Sequence, residues 1–208
     1  MARYLAAGLA LTLAACSVER PEADNQAKAE PAPALAPAGA AANEAEPGQP
    51  APPVRSDRSS RFTTLSDATC KLVEENREEA GYWRRDCAGA GGFRLQWSES
   101  DLRQELAIVS GSRTDRLSLS RLVTNGAFDT IGKTVEWRGD PGQSPDRLVA
   151  RVNVADAANP QGPDISKLIV VRLAPSACIV AIVDPGPDQS SAARRVADDD
   201  DRSSCLPG

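Results

Sequence analysis

From Ser17 to about Ser60 the chain contains almost nothing from which a core could be built. Aromatic residues are absent there, and large apolar side chains are nearly so. Pro31-Ala32-Pro33-Ala34-Leu35-Ala36-Pro37 is typical, and Pro47, Pro50, Pro52 and Pro53 follow. Such a segment cannot bury enough surface to offset its ordering entropy. Residues 16–60 therefore read as a disordered, proline-stiffened tether. As a flexible coil its ends lie about 35 Å apart, and as extended polyproline II it reaches about 130 Å. The fold must come from residues 61–208, which have the length of one ordinary domain. A chain of roughly 150 residues buries about 70% of its unfolded surface, enough for a core without a metal.

Beyond Cys16, four cysteines remain: Cys70, Cys87, Cys178 and Cys205. An even number with no metal-like spacing predicts two disulfides. Of the three connectivities, Cys70–Cys87 with Cys178–Cys205 is preferred, because each pair encloses one supersecondary unit. No two cysteines are close in sequence, which argues against zinc, and no Cys-x-x-Cys occurs. Histidine is absent. That removes Ser-His-Asp and Cys-His catalysis and the zincin motifs. Neither Ser-x-x-Lys nor Gly-x-Ser-x-Gly is present, and adjacent Ser166-Lys167 would point to opposite faces of a strand. The net charge of −5 comes with no basic stripe, so nucleic acid is not an expected partner.

Within the domain, Phe93, Leu95 and Trp97 alternate with Arg94, Gln96 and Ser98, the period-two signature of a half-buried strand. Leu102–Ser110 is its expected neighbour. Thr69–Glu74 and Tyr82–Cys87 read as a hairpin, Val135–Trp137 as a short strand and Leu148–Val154 as another. Leu117–Asn125 is ambiguous between strand and helix. Leu168–Leu173 and Ala177–Val183 are β-branched runs expected as a central antiparallel pair. From Gln189 to about Asp199 the pattern is helical, with Asp188 or Ser190 as N-cap. The expected fold is α+β: mainly antiparallel sheet, one C-terminal α-helix, two disulfides, and a disordered tether in front.

The chain begins with Arg3, an apolar run from Tyr4 to Leu13, and then Ala14-Ala15-Cys16. This describes a secretory signal peptide over residues 1–15. The run is too short to span a bilayer, which needs about 20 apolar residues. Leu13-Ala14-Ala15-Cys16 resembles the lipobox of bacterial lipoproteins. The resemblance implies lipidation at Cys16, with more than one acyl chain for stable anchoring. Ser17 after the cysteine resembles the outer-membrane sorting choice, implying an outer-membrane lipoprotein facing the periplasm or the cell surface. The domain resembles uncharacterised exported proteins of alphaproteobacteria. The resemblance rests on Cys70-Lys71-Leu72-Val73-Glu74-Glu75, the glycine-rich loop before Phe93, Ser100-Asp101-Leu102-Arg103, and Ala177–Asp184 with Ala193–Asp198 and Cys205. It implies the fold unit and the disulfides, and carries no catalytic signature.

Several residue groups are candidate sites. Asp198–Asp201 is four carboxylates in a row without EF-hand spacing, and is expected to end the helix and solvate its tip. Gly89–Gly92 lacks a P-loop ending and reads as a tight connection. Trp83, Trp97 and Trp137 are expected in the core, with Tyr82 and Trp83 the best candidates for an exposed ligand surface. Arg84-Arg85 and Arg194-Arg195 are expected as solvated charges. No catalytic residue, metal or cofactor is expected. The resulting expectation is a non-catalytic, lipid-anchored envelope module that binds a protein or cell-wall partner. One specific form resembles the lysozyme inhibitors, through Ser110-Gly111-Ser112-Arg113. The rival is a histidine-free, glycan-cleaving enzyme, which needs two carboxylates flanking one cleft.

Overall fold

The computed structural model describes residues 57–78 and 81–207. The leader, Cys16 and nearly all of the tether lie outside the described residues. Ten strands and two helices follow in order: β1 Ser59–Thr64, β2 Cys70–Asn76, β3 Tyr82–Ala88, β4 Phe93–Ser100, β5 Arg103–Ser110, β6 Arg113–Arg116, α1 Leu119–Leu122, β7 Asp129–Gly139, β8 Arg147–Val154, β9 Ile165–Arg172, β10 Cys178–Val183 and α2 Gln189–Ala197.

The strands make two five-stranded sheets. The first has the order β1-β7-β8-β9-β10 and the second is the meander β2-β3-β4-β5-β6. All neighbours are antiparallel. Period-two patterning turns one face of each sheet inward. Leu95, Leu106 and Ile108 of the second sheet meet Val135, Trp137, Leu148, Ile169 and Val171 of the first in one core. Phe93 stacks on Trp137 across it, with ring centroids 6.2 Å apart. The other face of the first sheet is covered by α2, whose Ala193 and Ala197 lie in a second cluster with Val149, Leu168 and Val170. The chain is thus mainly antiparallel sheet with a C-terminal helix, as expected.

Both disulfides pair as expected. Cys70 and Cys87 are directly opposite on β2 and β3, with Cα atoms 4.3 Å apart. Cys178 and Cys205 join β10 to the tail after α2, at 5.6 Å. There Leu206 N–H also donates to Ile179 O (2.8 Å). Two disulfides mark an oxidising, extracytoplasmic compartment. Among the described residues no helix is long and apolar enough to cross a membrane.

Some expectations change. The β9–β10 pair is antiparallel but not central, because β10 is an edge strand. The two strands are apolar because the core buries one face of them and α2 the other. The domain also starts before residue 61: Ser59 and Ser60 lie in β1, and Arg58 is buried. β1 is polar and was invisible to apolar patterning; its pairing with β7 creates it. β7 runs for 11 residues where only Val135–Trp137 reads as strand. Leu117–Asn125 contains the short helix α1.

Asp198 is no solvated tip. Register aligns Arg138, Arg147 and Arg172 across β7, β8 and β9. Like charges in such a row repel unless compensated. Asp198, buried at the end of α2, accepts two bonds from Arg138 (2.8 and 2.6 Å). Arg58 approaches the same carboxylate at 3.5 Å and hydrogen-bonds to Asp146. Glu136 accepts from Ser60 (2.6 Å), Arg138 (2.9 Å) and Arg194 (2.9 Å). Burial opposes the ionised form of Glu136, yet the bonds from Arg194, Ser60 and Arg138 outweigh it and hold its carboxyl below the usual range. The network ties the first described residues, the first sheet and the C-terminal helix together.

Candidate functional site

The turn between β4 and β5 has only two residues, Asp101 and Leu102, because Ser100 pairs with Arg103. Both have positive φ, 51° and 59°. Two-residue hairpins with such angles usually carry Asn-Gly. A leucine there is conformationally unfavourable, and it is also 61% exposed. Its carbonyl accepts from Asp129 N–H (3.2 Å), which ties the turn to the start of β7. Phe128, also exposed, lies next to Asp129 in the chain with the Arg103 guanidinium 4.8 Å above its ring. A strained, exposed Leu102 and an exposed Phe128 are thus brought together at one end of the sandwich.

Between them is a notch of about 160 Å³, lined by Glu99, Leu102, Phe128, Asp129, Thr130, Ala155 and Asp164. Its acidic wall is built by one glutamine. Gln104 donates through Nε2 to Glu99 (2.8 Å) and through its backbone N–H to Asp129 Oδ1 (2.9 Å). Gln104 Oε1 in turn accepts from Trp97 Nε1 (3.0 Å) and Ile131 N–H (2.7 Å). Glu99 also accepts from Trp83 Nε1 (3.3 Å). Asp129 is 4% exposed, and its Oδ2 is buried with no hydrogen-bond partner. The Thr124 hydroxyl lies close enough to stabilise the ionised carboxyl, but its hydrogen bond goes to Ser120 O (3.5 Å). Burial raises the Asp129 carboxyl above its ordinary range, against the lowering pull of the Gln104 N–H, the Thr124 hydroxyl and Arg103, and Glu99 adds to the rise.

A raised carboxyl opposes folding where it is ionised in the unfolded chain, so its penalty vanishes as pH falls to the ordinary carboxylate value. Asp129→Asn is therefore expected to gain stability relative to wild type as pH rises above the ordinary aspartate value of about 4. Urea midpoints of the two proteins as pH rises check it. A difference that does not change with pH would contradict the shift.

A second hollow of about 240 Å³ lies on the uncovered face of the second sheet, among Tyr82, Arg84, Gln96, Ser98, Glu105 and Arg116. Burial raises Glu105 there despite N–H bonds from Leu106 and Leu119 and the charge of Arg116. Tyr82 lines this hollow, whereas Trp83 points to the other face, as neighbours on a strand must. The two do not form one ligand surface. Trp83 packs edge-on against Trp97 at 4.7 Å, lies beneath Arg85, and holds Glu99. It supports the notch from behind. Trp137 is core, as expected.

The remaining sequence candidates fall into place. Gly89–Gly92 is the β3–β4 connection, and a Cβ on Gly89 would meet Phe93 O at 2.4 Å. Of the arginine pairs, Arg84 pairs with Glu74, Arg85 with Asp67 and Arg194 with Glu136, so three of the four are not simply solvated. Lys167 Nζ donates to Val123 O (3.3 Å), while the Ser166 hydroxyl accepts from Arg151. Among the described residues no group of three or more His, Cys, Asp or Glu is arranged to hold a metal ion.

Nothing local in the sequence distinguishes Glu99, Gln104, Asp129 and Asp164 from other polar residues. The available signal was Asp101-Leu102 itself, a tight turn between two strands with no glycine. Compared with known proteins, the chain matches no family model, no curated protein and no solved structure.

Proposed function

We propose that this protein is a non-catalytic binding module of the bacterial cell envelope, anchored by lipid on Cys16 and facing the periplasm or cell surface. In this reading a protein partner is engaged at the end of the sandwich that carries the notch. One observation carries the reading: exposed Leu102 and Phe128 converge with Glu99, Asp129 and Asp164 around a notch of about 160 Å³. Pockets that enclose small-molecule ligands are usually about 300–1,000 Å³. A notch this small suits the end of one side chain from a protein surface better than a glycan chain running between two carboxylates. That favours binding over the glycan-cleaving alternative. The two disulfides support work outside the cytoplasm.

Two measurements test the proposal. Intact-mass analysis of the membrane-extracted protein is expected to show a chain beginning at Cys16 with added acyl mass. A mature chain without it removes the anchor. Envelope proteins captured on the full chain are expected to include one that is lost with Leu102→Asp and kept with Arg195→Ala, an exposed change at the far end of α2. If both variants capture the same set, the assignment of this end is wrong.

A second reading has its own observation. Ser110-Gly111-Ser112-Arg113 is the exposed β5–β6 turn, with Gly111 at φ 59°. An exposed Ser-Gly turn is what a lysozyme inhibitor would insert into the enzyme's cleft. Lysozyme activity unaffected by an excess of the protein would remove this reading.

A further inference from the structure

We propose that the notch receives a primary ammonium on an apolar stem, namely a lysine side chain of the partner protein. This rests on the reading that this end is the binding end. Three carboxylates line or wall the notch, and the nearby cation, Arg103, is already committed. Arg103 donates to Gly126 O (2.8 Å) and to Asp101, and lies over Phe128. Arg103 offsets part of the charge on Asp129, and an acidic excess remains. The independent observation is Asp129: its Oδ1 is held by Gln104 N–H, and its buried Oδ2 completes no hydrogen bond although the Thr124 hydroxyl is near the carboxyl. A buried acceptor left unpaired costs free energy that a donor can recover.

The size and shape of the notch select among donors. Among the described residues no ligand set fits a metal ion. A guanidinium presents five donors in a planar fork, and only one unpaired buried acceptor is available here. An ammonium is compact, and its three donors rotate to suit Asp129 and Glu99. The exposed Leu102 and Phe128 side chains match the methylene stem that carries it. Gln104 positions both carboxylates for the same cation, since it touches one through its side chain and the other through its backbone.

The test is an amide-resolved NMR titration of the full chain with n-pentylamine, which has the stem and ammonium of lysine. n-Pentanol and n-pentylguanidine serve as comparisons. Saturable shifts at Leu102, Asp129 and Thr130 are expected with the amine. They are expected to weaken by about tenfold or more in Asp129→Asn, the loss of one charge-assisted bond. Glu99→Gln, whose change lies at the wall, is expected to weaken them less. The spectrum away from the notch reports whether each variant is folded. Equal shifts from pentanol would reduce the site to an apolar lip, and stronger binding of the guanidine would assign it to arginine. No saturable shift with the amine also overturns the proposal. If the amine fails while Leu102→Asp still abolishes partner capture, the ammonium falls and the binding end stands. If both fail, both fall.

Discussion

Replacing Asp198 with alanine is expected to destabilise the domain by about 3–5 kcal/mol, the scale for breaking a buried ion pair from one side. Asp198 caps the end of α2, where a carboxylate opposes the helix dipole. It is held there by two bonds from Arg138, itself 6% exposed. Removing the carboxylate leaves Arg138 with Glu136 and Ser60, and leaves Arg58 with Asp146 and Asp200. Two buried cations then share fewer anions in the row that also contains Arg147 and Arg172. Chemical denaturation of wild type and Asp198→Ala measures the effect. Arg195→Ala, an exposed change on the same helix, is expected to stay within about 0.5 kcal/mol. A loss below about 1 kcal/mol for Asp198→Ala would mean that the network behaves as a screened surface pair.

Removing the Cys178–Cys205 disulfide by a double change to alanine is expected to lose about 3–4 kcal/mol. The chain-entropy model gives this range for a crosslink spanning 27 residues. The loop contains α2, whose apolar contact with the sheet is made by two buried alanines, Ala193 and Ala197, and a partly buried Val196, and alanine contributes little apolar area. A nine-residue helix is marginal on its own. The sheets share a separate core, to which the tail contributes only the partly buried Leu206. Hydrogen exchange is therefore expected to rise first in α2 and the tail to Leu206, with β3, β4 and β5 still protected. Asp198 and Cys205 restrain the same element from two sides, so their losses are expected to be non-additive when combined. Uniform loss of protection across both sheets would show instead that the tail staples the whole domain.

The two predictions divide between what the sequence shows and what it hides. Cys178–Cys205 was legible because each cysteine adjoined a recognisable unit, an apolar strand and a short helix. The strand β4 was legible because Phe93, Leu95 and Trp97 alternate on one face, and half-burial writes that period directly into the residues. Glu136, Arg138 and Asp198 were not legible as a network. Each is an ordinary charged residue locally, and only the packing of α2 on the first sheet brings them together.

The sequence by itself determined the antiparallel, disulfide-linked character of the domain, its C-terminal helix and the absence of histidine chemistry. These follow from local periodicity, cysteine spacing and composition, which need no knowledge of neighbours. Tertiary structure alone decided that polar β1 completes a sheet, that β10 is an edge, and that Asp198 is buried. It also decided the notch. Glu99, Asp129 and Asp164 come from three separate parts of the chain, and they meet because strand register and sheet packing bring those parts to one end. Leu102 reads in the sequence as one more apolar residue beside a strand, and acquires meaning only when the backbone turns it outward at positive φ. Local pattern specifies which face a residue takes, whereas long-range pairing specifies whom it meets, and a binding site depends on the second.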